Sequence, residues 1–111
     1  MTIRAARTIA KAIGPAETTL DTTIVANANL IATIVQARLD ANTPIDVGHD
    51  AFMSAAAGFR LLADVREHVV RCHTQLAGVR DDCGMSGSDV GCHIGKYQDP
   101  PRGAVGEAVA A

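Results

Sequence analysis

Apolar residues recur along this chain at intervals of three and four, the spacing of one face of an α-helix. Ile3, Ala6, Ile9/Ala10 and Ile13 open the pattern. Gly14-Pro15 interrupts it, and proline in a helix interior costs about 3 kcal/mol, so a kink or a break is expected there. The pattern resumes with Leu20, Ile24, Ala28, Ile31, Val35 and Leu39 as one stripe. Thr22, Asn29, Thr33, Gln36 and Asp40 fall on the opposite side.

The stretch "ANTPID" punctuates the chain. Thr43 is suited to an N-cap, Pro44 to a first helical position, and Asp46 to the positive end of the helix dipole. A second helix is predicted from Pro44 to about Arg80 or Asp82, ending before Gly84. Its seam is Phe52, Ala55, Phe59, Leu62, Arg66, Val69, His73 and Leu76, again in alternating steps of three and four. Arg60/Asp64 and Glu67/Arg71 are i,i+4 pairs that mark a solvated face. "SAAAG" at 54–58 offers small residues where two helices can approach closely.

The two predicted arms match in length, each roughly 58 Å at 1.5 Å per residue. Joined by a tight turn, they form a long antiparallel helical hairpin over 1–83, followed by a Gly-rich tail over 84–111. Such a hairpin sets Leu20 opposite Arg66, Ile24 opposite Leu62, Ile31 opposite Ala55, and Ile13 opposite Cys72 or His73. Asp21 then lies near Arg66, and an ion pair is expected. Leu30, Ile34, Leu61, Val65 and Val70 widen the apolar stripes beyond what one helix–helix contact covers. Each such side chain gains about 1.5–3 kcal/mol on burial, so a homodimer forming a four-helix bundle is the simplest arrangement. The alternative is a three-helix monomer, with the segment before Gly14 folded across the hairpin.

Composition sharpens this picture. The 111 residues are 48% hydrophobic but only 3% aromatic, with no Trp, so alanine carries much of the apolar count. Alanine favours helix and fills a core poorly, which suits closely packed helices. One small domain is all this length supports, and a core of that size is marginal without a second chain. The net charge of −2 gives no electrostatic support to nucleic-acid binding. The most apolar stretch, Ile24 to Val35, is too short to span a bilayer and contains Asn27 and Asn29. The N-terminus is basic, lacks acids before Glu17 and has no signal-type apolar core, and a first helix is expected there. The cytoplasm is the expected compartment, with three reduced thiols rather than a disulfide framework.

Candidate chemistry gathers at Arg71–His93, which holds all three cysteines and two of the four histidines, and at His68 just before it. His68 and Cys72 share a helix face at i,i+4, and Cys83 and Cys92 could join them as zinc ligands. Against this, eight residues separate Cys83 from Cys92, and no Cys-x2-Cys knuckle is present. The other reading makes Cys72 a small buried hydrophobe, His73 a hydrogen-bonded seam residue, and His68 and His49 solvated. A Cys83–Cys92 disulfide is an option only in an oxidising compartment. "CHTQLAGV" resembles the helical histidine-phosphotransfer motif over His73–Gly78, although glycine falls five residues on and no Lys is present. That resemblance implies an exposed His73, whereas the seam places it on the apolar side.

Nucleophilic catalysis has little to work with, because Cys72 and His73 diverge by about 100° on a helix and no oxyanion-hole loop is apparent. Arg66 and His73 are expected to fix register, as polar seam residues do, rather than to bind a small anion. The expectation is therefore an all-α, non-enzymatic interaction or scaffolding protein with an unknown protein partner. The runner-up is a metal-binding or thiol-sensing protein built on the His/Cys cluster.

Overall fold

The computed structural model describes residues 1–91; Cys92, His93 and the remainder of the glycine-rich tail lie outside the described residues. Among the described residues there are two helices and no strand: α1 over Ile3–Ala41 and α2 over His49–Asp82. They pack against one another as the expected hairpin. The molecule extends 61 Å along its long axis. No helix among the described residues is long and apolar enough to cross a membrane.

α1 begins at Thr2, whose Oγ1 accepts from the Ala5 N–H at 3.1 Å. The helix then runs unbroken through Gly14-Pro15, so the break allowed for there does not occur. Pro15 removes one donor from the ladder, but 39 helical residues and a seam continuing on both sides outweigh that single loss.

The turn differs from expectation. Asn42 takes the left-handed conformation at φ 51°, and its N–H reaches the Arg38 and Leu39 carbonyls. The Thr43 N–H also returns to the Arg38 carbonyl at 3.3 Å, and Arg38 Nη1 donates to the Thr43 carbonyl at 2.9 Å. Thr43 is thus part of the C-terminal closure of α1 and does not N-cap α2. Two successive turns follow, Val47 N–H to Pro44 carbonyl and His49 N–H to Asp46 carbonyl. α2 starts only at His49, after Gly48 at φ 77°. A positive φ is cheap for glycine and costly for any residue with a Cβ, so the start is fixed at Gly48 rather than at the proline. At the other end α2 stops at Asp82, as its glycine punctuation predicts, with Gly84 at φ 74°.

The seam is written in the burial pattern. On α1 the half-buried positions Ala10, Ile13, Glu17, Leu20, Ile24, Asn27, Ile31, Ile34 and Arg38 alternate steps of three and four, with Ile9 and Gly14 half-buried beside them. On α2 the expected set from Phe52 to Leu76, and Arg80 beyond it, is buried or half-buried except at Arg66, which is exposed. Strict alternation on both helices is the knobs-into-holes pattern of an antiparallel coiled coil. The register is close to that expected: Ile13 shares a cavity with His73 and Leu76, and Leu20 one with Arg66 and Val69.

The α1 stripe is corrected in detail. Ala28, Val35 and Leu39 lie outside the seam and are exposed, while Asn27, Ile34 and Arg38 take the seam positions. Both polar residues satisfy themselves locally: Asn27 Nδ2 donates to the Thr23 carbonyl at 3.0 Å, and Arg38 reaches Thr43. That lets the coil keep its period at small desolvation cost.

Candidate interaction surface

Two polar side-chain contacts join α1 to α2 along the seam. His73 is 5% exposed, and its Nδ1 lies 2.5 Å from Oε1 of the largely buried Glu17. Closer to the hairpin bend, Arg66 Nε donates to Asp21 Oδ1 at 2.9 Å, the ion pair expected from sequence. Both partners there are about half exposed, so this pair contributes about 0–1 kcal/mol. The His73–Glu17 contact is shielded and orders the two helices at one level. Glu17 is the residue that sequence reasoning passed over. Its signal was present, since it falls in step between Ile13 and Leu20 at a position the seam requires.

At the open end of the hairpin, residues 85–91 fold back. Val90 is 4% exposed and closes a cavity of about 40 Å³ with Ala6, Ile13, His73 and Ala77. Arg7 Nε donates to the Asp89 carbonyl at 2.8 Å. The Ser86 N–H donates to Asp89 Oδ2, and the Asp89 N–H to Ser86 Oγ. Hydrogen bonds from the Ser86 backbone and hydroxyl hold the Asp89 carboxyl below its usual 3.8, with the Arg7 charge adding to the effect. The tail predicted from Gly84 onward is therefore docked as far as Gly91.

The chemistry-bearing residues do not converge. His68 and Cys72 are exposed on α2, and Cys83 caps that helix. Eleven residues of helix separate Cys83 from Cys72, about 16 Å, whereas two thiolates on one zinc stand within about 4.6 Å. Cys92 lies outside the described residues. Among the described residues no three His, Cys, Asp or Glu side chains are grouped to hold an ion. The expectation that Cys72 is a buried hydrophobe is overturned: it sits one position before the seam residue His73 and points outward. His73, being buried against Glu17, lacks the exposure that a phosphate-accepting histidine needs. Arg60/Asp64 and Glu67/Arg71 form their i,i+4 pairs on the solvated face.

What the surface does present is apolar. No large side chain among the described residues is fully buried. Val25, Leu39 and Met53 are each more than half exposed, and Leu30, Leu61 and Val65 are exposed on the other side. Phe52, Phe59, Leu62 and Val69 are only half buried. At the bend, Val35, Ile45, Val47 and Phe52 border an open cleft of about 270 Å³. Comparison with known protein families, with curated proteins and with solved structures finds no match to this chain.

Proposed function

We propose that this chain is a non-enzymatic interaction protein, a helical hairpin that associates with a second copy into a four-helix bundle and acts by protein–protein recognition. The observation that carries the reading is the exposure of Val25, Leu39 and Met53 on a hairpin with no fully buried large side chain. Apolar surface on that scale marks an interaction site in a folded protein. Outward Cys72 and inward His73 give no nucleophile–base pairing, which supports a binding role over a catalytic one. Exposed thiols at Cys72 and Cys83 suit a reducing compartment, and we assign the protein to the cytoplasm on that ground. Sedimentation velocity over a hundredfold concentration range tests the association. A species of twice the chain mass that grows with concentration supports the reading; a monomer throughout removes it.

A further inference from the structure

Outside the hairpin seam α1 carries a second one. Val25, Ala28, Ala32, Val35 and Leu39 step by three, four, three and four, and all five are exposed. On the helical wheel this strip lies about 100° from the α1–α2 seam, the angle at which each helix of a four-helix bundle meets its second neighbour. Toward the N-terminus the same strip continues as Asp21, Thr18, Gly14, Lys11 and Arg7, so its apolar part is bounded at Val25. The strip is also self-complementary when reversed. Antiparallel to itself about Ala32, Val25 meets Leu39, Ala28 meets Val35, and Ala32 meets its own copy. Large faces small in the inner layers, which permits close approach.

Resting on the dimer reading above, we propose that the occupant of this strip is the same strip of a second copy, packed antiparallel about a two-fold axis at Ala32. On the same side of the hairpin, exposed Met53 of α2 sits half a turn from the axis and Ala56 half a turn beyond it. The operation that superposes the α1 strips brings Met53 of each copy against Ala56 of the other, another large–small layer. The cleft beside Val35 and Phe52 opens at the end of the strip, where Val25 of the second copy arrives. The opposite side of the hairpin has no such continuous strip on α1, where Leu30 is flanked by Thr23, Thr33 and Asp40; on α2 both sides carry polar residues, Arg60 and Glu67 on this one and Ser54 and His68 on the other.

The available area sets the strength. Val25 to Leu39 spans about 21 Å, and the hairpin is about 20 Å across, so each copy covers roughly 400 Å². A total of roughly 850 Å² falls below the ~1,000 Å² expected of a stable specific interface, so this is a weak, reversible association and has to be looked for at high chain concentration.

The test compares wild type with Val35→Glu, with Leu61→Glu on the opposite side as control, by sedimentation across 1–500 μM. Both positions are exposed in the hairpin, so far-UV circular dichroism should be unchanged. Val35→Glu, present twice in the dimer, should weaken association roughly 100-fold, and Leu61→Glu less than threefold. Separately, Ala32→Cys in a background with the three native cysteines replaced by serine should oxidise to a 32–32 disulfide, whereas Asn29→Cys should not. A dimer indifferent to Val35→Glu, or one in which position 32 does not cross-link, overturns this geometry and leaves the dimer standing. A monomer at 500 μM overturns both.

Discussion

The buried contact of His73 with Glu17 is the most consequential single interaction in the hairpin. His73 is 5% exposed and sits between apolar neighbours on the α2 seam. Removing one member leaves the other in a dry layer with its principal partner gone, a cost of about 1–3 kcal/mol. Replacing both with apolar residues abolishes the desolvation cost as well. We therefore expect Glu17→Ala and His73→Ala each to lower the urea midpoint markedly, and the Glu17→Leu/His73→Leu pair to equal or exceed wild type. A paired change whose effect equals the sum of the two single effects would mean that the two residues act independently. His73 itself was legible in the sequence as a seam residue that hydrogen-bonds. Its partner was legible only as a position in step between Ile13 and Leu20, because an isolated glutamate in a helix normally signals solvent and only the facing histidine makes it a seam residue.

At the scale of elements, α1 and α2 were legible because a heptad pattern on α2 has few alternative readings. The α1 pattern has two. Its apolar residues fit a stripe through Ala28, Val35 and Leu39 as easily as one through Asn27, Ile34 and Arg38, and the sequence favours the more apolar set. The hairpin selects the second, since α2 demands strict alternation and Asn27 and Arg38 find local partners. The bend was misplaced for a related reason: Thr43-Pro44 carries a strong start signal, yet Asn42 closes α1 in a way that draws Thr43 in behind it. Pro15 shows how far tertiary context overrides propensity, since the helix passes through it. With no break to preserve, Pro15→Ala should restore a ladder hydrogen bond and raise stability by about 2 kcal/mol, net of the freedom regained by the unfolded chain. Thermal unfolding followed by circular dichroism measures this; a lower midpoint would show that the proline serves the packing.

For the whole molecule, the decisive fact is that one hairpin seam leaves most large apolar side chains only partly covered. An isolated pair of helices, however long, buries one stripe on each, and here the stripes hold alanine, asparagine, glutamate and histidine among the larger residues. Such a seam keeps the lone hairpin folded with less than the 5–15 kcal/mol typical of a stable domain, so association adds to its stability and the two are linked. Linkage has a measurable form. When the folded species is a dimer, mass action raises the unfolding midpoint with chain concentration. With an unfolding enthalpy of about 0.7 kcal/mol per residue summed over two chains, a hundredfold increase in concentration should raise the midpoint by about 5–10 °C. The increase should be largely lost in Val35→Glu, because a hairpin held by its own seam alone unfolds at a temperature that does not depend on concentration. A wild-type midpoint independent of concentration would mean that the single seam is sufficient, and that the exposed faces are not what stabilises the fold.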